Sequence, residues 1–319
     1  MKFTTTLGVG CAAAVILLLF LFGIGVDNAQ STNDHHHHQR RLLALNFLSD
    51  PKSVQLRNPL LGATNNDIWS ANIQSNSILP NPNSETVLFW MIPKSGTTTV
   101  KHLWRCMNLT LANELGSKYT NEKELRTIEG KHSKYIFLNV DTTSEEGMLH
   151  AAQLGLVPSG KADLISASLI KLAVQHLYDP MHKGRVISLF RHPIKRWISR
   201  FYYLQMATWE RTYQPEWQTI TIMDYAKKYS PGNQLIRKLT GKYHGGLEMA
   251  KRIVSNHFIV GLTDEMEESI HRFNIVMGIN EQDEVNKRCM DEFFGGGDDL
   301  HDTATNASAA KAIQIHILI

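Results

Sequence analysis

The stretch from Thr86 to Leu111, TVLFWMIPKSGTTTVKHLWRCMNLTL, decides the fold. Thr86 to Ile92 is a continuous apolar run rich in β-formers, the pattern of a parallel strand covered on both faces. Downstream, Val100, Leu103, Trp104, Met107 and Leu111 recur at helical spacing and mark one apolar helix face. The segment Pro93-Lys94-Ser95-Gly96-Thr97-Thr98-Thr99 therefore sits on a strand-to-helix turn.

The first amides of a helix lack partners and carry the positive end of its dipole, so a tight turn at Gly96 can wrap main-chain NH groups around a phosphate. The hydroxyls of Ser95, Thr97, Thr98 and Thr99 add donors, and Lys94 adds a point charge. The order of residues excludes a Walker A loop, which needs Lys after the second Gly, and so disfavours a GTPase or ATPase. Plain N-capping accounts for the same turn equally well.

A second apolar strand, Arg185 to Phe190, runs into Arg191-His192-Pro193-Ile194-Lys195-Arg196-Trp197-Ile198-Ser199-Arg200. Pro193 suits a first helical turn, and Ile194, Trp197, Ile198 and Phe201 are expected to form its buried face. Arg191 and Ser199 can reach one anionic group, Arg by forked hydrogen bonds and Ser by its hydroxyl. A solvated cationic helix face is the competing reading for Lys195, Arg196 and Arg200. Tyr135 to Val140, Asp163 to Ser168 and His257 to Leu262 are further expected strands, alternating with helix-length segments. That alternation predicts an α/β fold with a parallel sheet flanked by helices and a ligand site at the carboxyl ends of the strands. Asp264 and Glu267 are expected to cap a closing helix over 265–277.

The chain has 319 residues, 43% of them hydrophobic and 20% charged, enough for one large domain or two modest ones. Thirty-three Lys and Arg against thirty Asp and Glu leave a net charge of +3, which argues against a global nucleic-acid footprint. Cys11, Cys106 and Cys289 allow at most one useful bridge, Cys106 to Cys289, because Cys11 falls in an apolar run. No metal cluster with ligand spacing is apparent, and His35 to His38 read as low complexity.

That run, Leu7 to Val26, has twenty residues without a charge, the length needed to cross about 30 Å of hydrocarbon. A cleaved signal peptide competes with an uncleaved anchor, and the length of the run favours the anchor. The expected organisation is a tip and transmembrane signal-anchor over 1–26, a flexible stem over 27–85, one α/β domain over 86–280 and a divergent or poorly ordered tail over 281–319. Asn108-Leu109-Thr110, on a predicted helix, and Asn306-Ala307-Ser308, in a polar tail, are sequons.

Together the two anion-binding stretches resemble the sulfotransferase family that uses 3'-phosphoadenosine 5'-phosphosulfate. Ile92 to Thr98 looks like its 5'-phosphosulfate loop, and Arg191 followed by Ser199 looks like its 3'-phosphate motif. Within the family, Gln205-Met206-Ala207-Thr208-Trp209, Asn233-Gln234-Leu235-Ile236-Arg237 and Gly261-Leu262-Thr263 are similar to membrane-anchored Golgi carbohydrate enzymes of the heparan sulfate 6-O type. The resemblance covers roughly Thr86 to Met277. It implies a P-loop-like nucleotide-binding sulfotransferase fold, a glycan or proteoglycan acceptor, no required metal, and a Golgi single-pass type II protein with a lumenal catalytic domain. Lys94 would act at the leaving oxygen, Ser95 to Thr99 at the 5'-phosphosulfate, and Arg191 with Ser199 at the 3'-phosphate. Trp209 with Arg211, and Arg237, are candidates to line the acceptor groove, with plain packing at a helix end the competing reading for Trp209.

The resemblance falters at the general base. Related carbohydrate enzymes place a His just beyond the strand that aligns with Asp163 to Ser168, where this chain has Ser166-Ala167-Ser168. His132, His150 and His176 stand as alternatives with Glu145 and Glu146, and His150 is taken as the expected base. Two other readings stay open: a sulfotransferase acting on protein tyrosine or a small hydroxylated molecule, and a non-catalytic relative that binds nucleotide or glycan.

Overall fold

The computed structural model describes residues 65–113, 122–129, 135–210, 213–228 and 233–295. The apolar run 7–26, the histidines 35–38, His132, Arg211, the Asn306 sequon and the chain after 295 lie outside the described residues.

Among the described residues, seven strands form one sheet: β1 (Thr86–Trp90), β2 (Leu111–Ala112), β3 (Thr127–Glu129), β4 (Ile136–Leu138), β5 (Leu164–Ala167), β6 (Gly184–Phe190) and β7 (Phe258–Leu262). Their order is β3-β4-β2-β5-β1-β6-β7, and every neighbouring pair is parallel except β3 with β4. The helices are α1 (Asn65–Asn72), α2 (Thr97–Cys106), α3 (Glu145–Gln153), α4 (Ile170–Leu177), α5 (Pro193–Met206), α6 (Ile222–Lys228), α7 (Gln234–Thr240), α8 (Leu247–His257), α9 (Met266–Met277) and α10 (Glu284–Phe294). Short 3-10 turns cover Pro215–Gln218 and Thr263–Glu265. This is an α/β protein with a mostly parallel sheet flanked by helices.

The unbroken apolar character of β1 follows from its central place. Leu88 and Trp90 face a core completed by Ile165, Ala167 and Val186 with α1, α3, α4, α7 and α8. Val87 and Phe89 face a second core with Ile187 and Leu189, covered by α2, α9 and α10. Burying each such side chain contributes about 1.5–3 kcal/mol. A third, smaller cluster of Phe201, Leu204, Trp217 and Tyr225 folds α5 and α6 into a lobe beside the sheet.

Three local expectations change. Helix α2 ends at Cys106, and Asn108 takes a left-handed φ of 60°, so Leu111 enters the sheet as β2 instead of extending the helix. Asn108 is thereby moved from a helix to an exposed turn. On α5, Ile194 is 63% exposed, and the inward face is Ser199, Phe201 and Leu204, because the helix begins beyond the sheet end. Helix α9 has no side-chain cap, and the Asp264 carboxylate lies 2.8 Å from Lys195 Nζ instead.

The folded region also reaches past 86–280 on both sides. Trp69 and Ile73 are buried, and Asn72 Nδ2 donates to Val174 O (2.9 Å) and Tyr178 O (2.8 Å). Arg185 forms a buried two-pronged ion pair with Glu85 (2.8 and 2.9 Å) and donates to Ser75 O and Ile78 O, both at 3.1 Å. At the other end, Cys289 of α10 is joined to Cys106 of α2, with Cα atoms 5.9 Å apart.

Candidate functional site

Strand order locates the site. From β1 the chain crosses through α2 to β2, on the β5 side of β1, whereas from β6 it proceeds to β7 on the opposite side. The carboxyl ends of β1 and β6 therefore flank the point where the connections diverge, the crevice where open α/β sheets bind ligands. The turn after β1 carries Lys94 to Thr99, and the turn after β6 carries Arg191.

The first turn is tightly folded. Lys94 adopts a φ of 67° and Gly96 a φ of 79°. A Cβ at position 96 would stand 2.5 Å from Met266 Cε, the movable end of a flexible side chain, so it is the left-handed backbone that calls for glycine here. Gly96 is the N-cap of α2, and no side chain caps its first turn. The first intrahelical bond runs from Val100 N to Gly96 O (3.1 Å), leaving the amides of Gly96 to Thr99 at the open helix end. Ser95 is fully buried, and its Oγ has no hydrogen-bond partner among the described residues. Thr97 is also buried, Thr99 is half-buried and Thr98 is exposed.

The second turn closes against the first. Arg191 Nη1 donates to Lys94 O at 3.3 Å, while its Nε is buried with no partner among the described residues. Thr263 Oγ1, at the end of β7, lies 3.1 Å from Ser95 O and 3.2 Å from Phe190 O, tying both turns to a third strand. Unpaired buried donors are uncommon in folded proteins. Two of them, Ser95 Oγ and Arg191 Nε, stand beside an uncapped helix end, an arrangement suited to an anion.

Lys94 is the electrostatic focus. Burial first, then the neighbouring Arg191, hold its pKa down to about 8, with Glu210 pulling the other way. Its Nζ sits 4.1 Å from the centroid of the Tyr203 ring. Tyr203 donates to Glu210 Oε1 at 2.6 Å, and its phenol is pushed up to about 12 by burial first and then by the carboxylate. Trp209, 73% exposed, meets Tyr203 edge-on with centroids 6.3 Å apart.

Further along α5, Ser199 is buried, and Arg196 and Arg200 stand within one turn of it. Burial and then Arg200 lower the Arg196 pKa; burial and then Arg196, Arg200 and Arg237 lower that of Lys238. Lys238 Nζ donates to Ser168 O (3.4 Å), just past the carboxyl end of β5. Cationic charge thus continues from Arg191 along α5 to α7. Arg237 itself is exposed and stacks over Tyr243, 5.0 Å from its centroid.

His150 is not brought to this site. It lies on α3, after β4, and β2 and β5 intervene between β4 and β1, a span of roughly 14 Å at the usual strand spacing. Its Nε2 lies 2.9 Å from Glu122 O. His176 Nε2 lies 3.2 Å from Glu145 Oε1, which engages both of those candidates with each other. Tyr203, Glu210 and Lys238 were not among the expected site residues. Among the described residues, no group of three His, Cys, Asp or Glu could hold a metal ion, and no helix is long and apolar enough to cross a membrane. No family model, no curated protein and no solved structure matches the chain.

Proposed function

We propose that the chain transfers a sulfuryl group from 3'-phosphoadenosine 5'-phosphosulfate to a hydroxyl of a carbohydrate acceptor, on a P-loop-like sulfotransferase fold. The observation that carries this reading is the closure of the Arg191 turn on the Lys94 turn, with two buried donors, Ser95 Oγ and Arg191 Nε, left for an anion. The donor supplies an activated sulfuryl group on a phosphate leaving group. The chain's own contribution is positioning and charge stabilisation.

In this mechanism the amides and hydroxyls of Ser95 to Thr99 hold the 5'-phosphosulfate, and the Lys94 ammonium faces the leaving oxygen. Arg191 and Ser199 hold the 3'-phosphate, with Arg196 and Lys238 adding cationic charge to the same end. Buried and desolvated, these donors act more strongly than they would in water. The Cys106–Cys289 bridge and the apolar run 7–26 support a lumenal, Golgi-type setting with a membrane anchor.

Calorimetric titration with 3'-phosphoadenosine 5'-phosphate, followed by incubation with labelled donor and a panel of glycans, tests the proposal. Micromolar or tighter nucleotide binding with transfer to a glycan supports it. Absence of nucleotide binding removes it. The non-catalytic reading is favoured by Ser166-Ala167-Ser168 standing where a His was expected, and binding without transfer to any acceptor supports it.

A further inference from the structure

The proposed reaction needs a proton acceptor, and the histidine expected to serve is engaged elsewhere. Glu210 stands at the site instead. Its Oε1 accepts the Tyr203 hydroxyl at 2.6 Å, and no described residue hydrogen-bonds its Oε2. The Lys94 ammonium sits over the face of the same ring, 4.1 Å from its centroid, while the carboxylate is held at the ring's hydroxyl. Glu210 also raises the pKa of Lys94, so the two charges sense one another.

An in-line displacement asks for two groups at opposite ends of the transferred unit: a cation where the leaving oxygen gathers charge, and a base where the acceptor loses its proton. Lys94, over the face of the Tyr203 ring, and Glu210, at its hydroxyl, supply one of each. Tyr203 fixes the carboxylate through one oxygen and leaves the other for the acceptor. Trp209, exposed and edge-on to Tyr203, stands directly before Glu210 in the chain and offers the flat apolar surface a sugar ring stacks on.

We propose that Glu210 is the general base of this transfer, its Oε2 taking the proton of the acceptor hydroxyl, with Tyr203 as its positioning residue. As the acceptor O–H bond breaks, its oxygen bonds to sulfur. The bond from sulfur to the 5'-phosphate oxygen breaks in turn, and its electron pair stays on the departing 3'-phosphoadenosine 5'-phosphate beside Lys94. Among the described residues, the charged and titratable groups that interact with Glu210 are Tyr203 from α5 and Lys94 from the turn after β1, and Lys94 in turn senses Arg191.

This inference rests on the proposed sulfotransfer, and its test separates the two. Nucleotide binding is measured with 3'-phosphoadenosine 5'-phosphate, and transfer with labelled donor and acceptors including de-O-sulfated heparin and chondroitin, across pH 5 to 9. Glu210→Gln is expected to keep nucleotide affinity and to lose about 10²-fold or more in turnover. Glu210→Asp is expected to restore part of the rate. Tyr203→Phe releases the carboxylate it holds, so kcat is expected to fall while KM for the donor and nucleotide affinity stay unchanged. Turnover of Glu210→Gln within threefold of wild type, or a Tyr203→Phe loss confined to KM, overturns the assignment while leaving sulfotransfer standing. Nucleotide binding by wild type with no transfer to any acceptor overturns it too, and failure to bind the nucleotide overturns both.

Discussion

The Arg191 guanidinium donates from Nη1 to the main-chain oxygen of Lys94 at 3.3 Å, across 97 residues of chain. One contact thus joins the turns that follow β1 and β6, and it keeps the Arg191 Nε pointing into buried space without a partner among the described residues.

Replacing Arg191 by Lys keeps the charge and removes the fork. A hydrogen bond to a charged group contributes about 1.5–3 kcal/mol, so affinity for 3'-phosphoadenosine 5'-phosphate should fall about ten- to a hundredfold. Calorimetry of the Arg191→Lys protein checks this; unchanged affinity would take Arg191 out of the anion site.

Lys94 sets an upper pH limit. Its pKa is held at about 8, so the ammonium is present below that pH and lost above it. kcat/KM for the donor should therefore decline as pH rises through about 8. A bound dianion favours the charged form, so the limb in kcat should lie higher. Lys94→Ala should lower turnover by about 10²-fold or more, whereas near-normal turnover would exclude the lysine from the chemistry. Burial disfavours the ammonium in the folded state, so its cost to stability is present below pH 8 and is relieved between about 8 and the ordinary lysine value of 10.5.

The Cys106–Cys289 bridge closes a loop between residues 183 apart in sequence. Chain-entropy reasoning assigns such a closure about 5 kcal/mol. Cys289→Ser should lower the thermal midpoint markedly, and reduction of the wild type should reproduce that shift. Equal midpoints with and without reductant would show that the cross-link contributes nothing in solution.

Glu85 and Arg185 test a different part of the fold. Removing one partner of a buried ion pair typically costs about 3–5 kcal/mol, because the other charge is left uncompensated. Glu85→Gln should destabilise by that order in urea unfolding. The pair lies at the end of the sheet remote from the Lys94 turn, so nucleotide affinity of the remaining folded protein should be unchanged.

What could be read beforehand was what is local and apolar. β1, β5, β6 and β7 appear in the sequence as short runs rich in apolar residues because helices cover the sheet on both faces. The Lys94 turn was legible because strand, glycine and helix follow one another without interruption. β2 was not legible: two residues carry no periodicity, and it exists because Asn108 turns left-handed after α2. Residue type alone favours His150, and only strand order shows that β2 and β5 separate β4 from β1. Tyr203 and Glu210 form no motif either. Helix α5 ends at Met206, and the chain then doubles back so that Glu210 returns to the phenol seven positions earlier. Such a return depends on the Phe201, Leu204, Trp217 and Tyr225 cluster and has no sequence signature.

The anchoring of residues 72–85 also bears on how the protein can be dissected. Arg185, at the amino-terminal end of β6, satisfies its guanidinium on Glu85, Ser75 and Ile78, and all three partners precede the first strand. A recombinant fragment cut at Thr86 would strand that cation in a dry interior, so a soluble folded piece should start upstream of α1, at or before Asn65.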